Sequence, residues 1–341
     1  MTDRPPVRSL AFFNNKGGVG KTTLSCNLAS LIAEKAGAKV LYVDCDPQCN
    51  ATQLLLEDDI WGDIFSSKQK SASRTLLRAF RYIRSGDSTI ETELRVVPSD
   101  RFGVDVLPGH PGLSTLEDKL SSSWLDFKAG EIGAARRTLW ARNLIEALDY
   151  DLVIFDVGPS LGALNRSILI GCDAFVTPMA ADLFSLYALD NIADWMETWH
   201  KDYRRAASEI SEHDPSSAAQ WYIEPTLRVD RGFRGYTVQQ YVSRASGEQI
   251  RQVRAYERYK RQIPKRVQRL LAWSPDGLDA SIGVVPNMFA MVPLAQAAHA
   301  PIHTLGSGDG LRGAQLSQQK KYAQQLDTIA ERLLHNLLSD A

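Results

Sequence analysis

The residues with the clearest chemistry are Asn15, Lys16, Gly17, Gly18, Val19, Gly20, Lys21, Thr22 and Thr23. A glycine-rich turn of this kind lets backbone N–H groups converge on an anion, and a helix that follows adds its positive end. Lys21 can reach the β- and γ-phosphates of a nucleotide as a point charge, and the Thr22 hydroxyl can ligate Mg²⁺. Position 15 is glycine in the general phosphate-loop pattern. Asn15 is one of the few side chains that tolerate a positive φ, so the turn can survive the change. Lys16 is a second lysine in a loop that Lys21 already fills, which leaves it free to reach a phosphate bound by another copy of the chain. Three aspartates complete the set. Asp44 and Asp46 alternate at the end of one apolar run, and Asp156 closes another. In such a site Asp46 is placed to orient an attacking water, Asp44 to hold Mg²⁺ through its water shell, and Asp156 to accept from Mg²⁺-bound water.

These groups converge only if particular elements carry them. Ser9 to Phe13 reads as a buried strand ahead of the turn, and Leu24, Leu28, Leu31 and Ile32 recur at helical spacing after it. Val40–Val43 and Leu152–Phe155 are apolar runs of strand length that deliver the aspartates at their carboxyl ends, where ligands sit in open α/β sheets. Further strands are expected at 102–109, 174–178 and 281–288, with a last edge strand at 301–305. Helices are expected over 74–84, with Leu76, Leu77, Phe80 and Ile83 on one face, and over 113–120, 184–199 and 322–338. This alternation predicts a doubly wound, mostly parallel sheet flanked by helices.

Composition sets few limits. The chain has 341 residues, a net charge of −1 and 44% hydrophobic residues, which suits a folded protein with no global pull toward nucleic acid or membrane. The four cysteines, Cys26, Cys45, Cys49 and Cys172, lack metal spacing and read as buried thiols in a reducing compartment. Neither a bilayer-length apolar run nor a signal-peptide core is expected, and the location expected is the cytoplasm.

With these residues in view the chain resembles the ParA/MinD-type deviant Walker A ATPases, and its Asp44–Thr52 stretch, Asp-Cys-Asp-Pro-Gln-Cys-Asn-Ala-Thr, is closer to the ParA (Soj-like) branch. Asp156-Val157-Gly158-Pro159-Ser160, Val106–Gly109 and Ala181–Leu186 also resemble that family. The resemblance implies a P-loop fold of the SIMIBI type, ATP and Mg²⁺ as cofactors, and an ATP-sandwiched homodimer that binds nonspecific DNA on the nucleoid. It also implies a ParB-like protein that stimulates slow hydrolysis. By position it implies that Lys16 crosses the dimer interface, that Lys21 and Thr22 hold phosphate and Mg²⁺, that Asp46 is needed for hydrolysis, and that Asn287 contacts the base. Gly158 departs from the proline usual there. The terminal helix lacks the membrane-targeting character of the MinD branch.

Residues 7–200 and 280–341 are assigned to one discontinuous ATPase domain, and 201–279 to a basic, largely helical insertion. Residues 228–270 carry twelve Arg or Lys and three acids, hence a local +9. Arg251, Arg254, Arg258 and Arg261 recur at helical spacing. Pro264 is expected to end that helix, with Lys265 and Arg266 opening the next. Such a stripe can bind DNA phosphates without reading sequence, or can simply face solvent on a segment packed against the ATPase core. The alternatives are a ParA-like scaffold ATPase that positions a protein cargo through the same nucleotide cycle, and a metabolic P-loop enzyme. For the latter, Cys45, Cys49 and Cys172 do not match the cluster-sharing arrangement of a nitrogenase iron protein.

Overall fold

Strand β1 (Ser9–Phe12), β2 (Val40–Asp44) and β5 (Leu152–Asp156) are apolar runs because both of their faces are covered. The computed structural model, which describes residues 7–240, 256–288 and 290–339, places them at the middle of the sheet. Side chains alternate between its two faces. Ala11, Leu41, Val43, Val153 and Phe155 enter one apolar cluster, and Leu10, Phe12, Val40, Tyr42, Leu152 and Ile154 enter the other.

The other strands are β3 (Val97–Ser99), β4 (Val104–Leu107), β6 (Ala174–Ala180), β7 (Phe233–Gln239) and β8 (Ser281–Val285), and the eight run in the order β3-β4-β2-β5-β1-β6-β7-β8. Among the described residues only the β3–β4 pair is antiparallel. Helix α1 (Lys21–Ala36) and the terminal helix α6 (Ala314–Leu338) cover one face through Leu24, Leu28, Leu326, Ile329 and Leu333. The opposite face is covered by α2 (Leu116–Lys128), α3 (Ala163–Gly171), α4 (Leu183–His213) and α5 (Ile263–Leu271). This is the doubly wound P-loop architecture, with helices on both sides of a mostly parallel sheet.

Four expectations are corrected. The described parts of 201–279 do not form a separable insertion. Helix α4 runs without a break through position 201, β7 lies between β6 and β8, and Ile263, Val267, Leu270 and Trp273 enter the same core cluster as α4. The strand Phe233–Gln239 escapes notice because it interrupts its apolar residues with Arg234 and Gly235. The edge strand at 301–305 is instead a 3₁₀ turn, Ile302–Thr304. Its Ile302 N–H donates to Asn27 Oδ1 at 2.7 Å, and Gln319 Nε2 donates to the carbonyls of Ile302 and His303 at 2.9 and 2.8 Å, so no ladder is left to form. The helix at 74–84 breaks at Thr75, which is extended, into Lys68–Arg74, the 3₁₀ turn Leu76–Arg78 and Arg81–Arg84; the four apolar residues assigned to one face are nonetheless all buried. Finally, Asn15 does not use the left-handed region; Gly18 and Gly20, with φ of 72° and 75°, take that role.

Candidate nucleotide site

The loop between β1 and α1 is anchored from beneath. Asn14, fully buried, donates through Nδ2 to the Pro178 carbonyl of β6 at 2.7 Å and accepts the Lys16 N–H at 2.9 Å. Sequence reasoning missed this residue, since its partner lies 164 positions away. Lys21 opens α1, is buried, and curls back so that Nζ donates to the Lys16 carbonyl at 3.2 Å. Burial lowers its pKa, and the charges of Asp156 and Asp46 act in the opposite direction. Gln239, at the end of β7, lies over the loop: a Cβ on Gly20 would sit 3.0 Å from its Oε1.

Asp44 and Asp156 stand side by side at the ends of β2 and β5. Asp44 is fully buried, and its carboxylate is occupied. Oδ2 accepts the N–H and the hydroxyl of Thr52 at 2.8 and 2.6 Å, and Oδ1 accepts the Asp46 N–H at 3.2 Å. Thr52 Oγ1 in turn accepts the Gly109 N–H at 2.9 Å. Burial drives the Asp44 pKa up to about 6 against the Thr52 bonds that hold it down. The bonds give Asp44 a first task, to tie the 44–52 loop to the strand end. Asp46, which keeps 8% of its surface, accepts the Gln48 N–H at 3.0 Å.

Asp156 differs from both. No hydrogen bond of normal geometry reaches either of its buried oxygens. Burial, and then the Asp44 charge, raise its pKa to about 8, while the Thr22 hydroxyl and Lys21 pull it down. A buried carboxylate so thinly hydrogen-bonded is costly unless a cation or water completes it. Among the described residues no cluster of three or more His, Cys, Asp or Glu has metal-holding geometry. An Mg²⁺ ion, which takes few protein ligands and keeps its waters, would meet the Asp156 carboxylate and the Thr22 hydroxyl there.

Comparison with known proteins bears on this arrangement. Residues 7–208 match the AAA_31 family, described as an AAA domain. The chain belongs to this family. It is a ParA-type P-loop ATPase domain by that match and by its relatives. It is 30% identical over 196 residues to the chromosome partitioning protein ParA of Caulobacter vibrioides, covering 56% of this chain and 63% of that one. It is 33% identical over 195 residues to the chromosome-partitioning ATPase Soj of Thermus thermophilus, covering 57% and 62%. The matched stretch thus spans less than two thirds of either relative. The crystal structure of protein DIP2308 from Corynebacterium diphtheriae superposes with a TM-score of 0.77 at 34% identity, covering 98% of this chain and 100% of that one.

The Lys16 side chain turns away from its own phosphate loop. Lys16 Nζ forms an ion pair with Asp182 and lies 3.3 Å from Ser185 Oγ, both at the start of α4. Asp182 also caps that helix, accepting the Ser185 N–H at 2.9 Å. Beside it Leu183, Phe184 and Tyr187 are 41%, 71% and 53% exposed. Asn287 follows β8 at the phosphate-loop end of the sheet, and its carbonyl accepts the Tyr322 hydroxyl of α6 at 2.9 Å. Among the described residues no helix is long and apolar enough to cross a membrane.

The basic stripe is only partly available to a partner. Arg251 and Arg254 lie outside the described residues. Arg258, Arg261 and Lys265 are exposed, and the chain turns at 261–262 so that Pro264 falls in the first turn of α5. Arg266 is ion-paired with Asp190, and Arg269 reaches Asp194 and Glu197 at 2.7 and 2.9 Å, all on α4. Arg266, one of the cations counted toward a partner, is thus spent with Arg269 on packing α5 against α4.

Proposed function

We propose that the chain is an ATP-driven switch: ATP with Mg²⁺ closes two copies face to face, the pair binds DNA without reading sequence, and hydrolysis releases it. The observation that carries this reading is the pairing of a P-loop with a second lysine held outside that loop, beside an apolar patch on α4. Lys16 and the Phe184–Tyr187 face lie together, as an interface completed by a second copy requires. The Gly17–Thr23 backbone and Lys21 bind the triphosphate, Thr22 and Asp156 hold the metal ion, and Asn287 meets the base. Mg²⁺ supplies charge neutralisation on the phosphates. Asp46 orients the attacking water. The basal rate is slow and is raised by a partner of ParB-like kind, with the cycle running on the nucleoid in the cytoplasm.

The defining experiment is ATP turnover by the purified chain with and without duplex DNA. Stimulation by DNA supports DNA as the surface on which the switch works; turnover that ignores DNA favours a protein cargo instead. Replacing Arg258, Arg261 and Lys265 by glutamate is expected to weaken DNA binding and to flatten the log–log salt dependence by about 0.9 for each phosphate no longer neutralised. A slope identical to the wild type rejects this face as the one that meets DNA.

The Lys16–Asp182 pair opposes closure until Lys16 leaves. Both side chains are partly exposed, at 26% and 39%, so the pair is worth about 0.5–1 kcal/mol. Asp182→Asn retains an acceptor for the helix cap and removes the charge. Two such pairs are released per dimer, so the ATP-loaded dimer is expected to form at a roughly five- to thirtyfold lower protein concentration, as sedimentation would measure. An unchanged midpoint shows that the pair does not restrain Lys16.

A further inference from the structure

The 157–162 loop touches the nucleotide machinery at two points. A Cβ on Gly158 would lie 3.4 Å from Asp46 Oδ1, and one on Gly17 would lie 3.7 Å from the Pro159 ring. Position 158 therefore lies one side-chain atom's reach from the Asp46 carboxylate, so where the loop runs sets the space beside that group. The loop has no regular structure of its own, so its position depends on what holds it from behind.

Two side chains do so, and neither was singled out by its sequence. Asn165, on α3 and 2% exposed, donates through Nδ2 to the Gly158 carbonyl at 2.8 Å and to the carbonyl and hydroxyl of Ser160 at 2.9 and 3.1 Å. Glu117, on α2, accepts the Ala163 and Leu164 N–H groups at 2.6 and 3.3 Å. Helix α3 has Gly162 as its N-cap and so has no cap of its own; Glu117 supplies it from another helix. The fit is close, since a Cβ on Gly162 would lie 2.6 Å from Glu117 Oε1. The carboxylate also complements the positive end of α3.

We propose that Glu117 and Asn165 are positioning residues for ATP hydrolysis, bracing the Gly158–Pro159 loop against Asp46. Both act through the loop backbone. Asn165 fixes the loop carbonyls that set where Gly158 lies, and Glu117 fixes the helix end from which Asn165 projects. The proposal rests on the role given to Asp46 above and adds a route from the α2 surface to that residue.

The test is steady-state Mg²⁺-ATP turnover with nucleotide affinity measured on the same preparations of wild type, E117A, E117Q and N165A. E117A and N165A are expected to lower kcat tenfold or more while KM and the bound-nucleotide stoichiometry stay within twofold of wild type. E117Q keeps a carbonyl acceptor for the α3 N–H groups and is expected to stay within threefold of wild-type kcat. A merely structural role predicts instead that stoichiometry and kcat fall together and that E117Q fares no better than E117A; either result overturns the brace. Wild-type rates in both alanine variants also overturn it. A wild type without turnover overturns the reading of Asp46 itself, which the same measurements report separately.

Discussion

Asp46→Ala is expected to bind ATP, to close into a dimer and to turn over about 100-fold or more slowly than the wild type. A positioned carboxylate acting on the attacking water contributes on the order of 10²–10⁴ to rate. The loop that carries Asp46 is held independently of it by Asp44, whose carboxylate bonds to Thr52 and to the Asp46 N–H, so the substitution removes the reacting group and leaves its support. One bond, from the Gln48 N–H, goes with it. Lys21→Ala is expected to fail at an earlier step. Its ammonium is buried at the mouth of α1, and truncating a buried charge partner costs about 2–5 kcal/mol, which weakens ATP binding by roughly 30-fold or more. Equilibrium binding and single-turnover hydrolysis on the two variants separate the roles. Normal turnover in Asp46→Ala, or wild-type ATP affinity in Lys21→Ala, rejects the assignment concerned.

The centre of the fold was legible because its signals are local. Val40–Val43 and Leu152–Phe155 are continuous apolar runs that only a doubly covered strand requires, and each runs directly into its aspartate. The turn from Asn15 to Thr23 has a spacing that phosphate imposes. What stayed hidden depends on contacts between distant residues. Strand β7 has neither a continuous apolar run nor strict alternation, and it becomes a strand because β6 and β8 flank it. Helix α4 reaches His213, well beyond Trp199, through Tyr203, Ala206, Ala207 and Ile210, whose burial is supplied by tertiary packing. Asp182 looks like an ordinary helix cap until Lys16 is found against it, and Asn165 looks like a polar residue in a helix until the loop is in place. Asp44 was read as a metal-shell residue from its place at a strand end, and nothing in the sequence announced that Thr52 would fill its carboxylate.

Asp156 makes the nucleotide-free protein less stable as pH rises. Its folded pKa, about 8, lies above the ordinary carboxyl value of 3.8, so between those limits the native state holds a proton that the unfolded chain releases. Stability therefore falls with rising pH across that window. Asp44, raised to about 6, acts in the same direction over a narrower range. Asp156→Asn removes the larger of the two effects and, by deleting a neighbouring charge, also eases Asp44. The whole shift corresponds to at most about 6 kcal/mol, and relaxation around the site reduces the expected gain at pH 9 to about 2 kcal/mol. At pH 5 the native carboxyl keeps its proton while the unfolded one is already ionised, so only about a quarter of the shift has developed and the two proteins differ far less than at pH 9. Mg²⁺ with ATP reverses the order at high pH, because a cation beside Thr22 favours the carboxylate that the amide cannot supply. Thermal unfolding of both proteins at pH 5 and pH 9, with and without Mg²⁺-ATP, reads all of these. An equal difference between the two at both pH values, or an equal gain from Mg²⁺-ATP, means that Asp156 is neither the strained group nor the metal ligand.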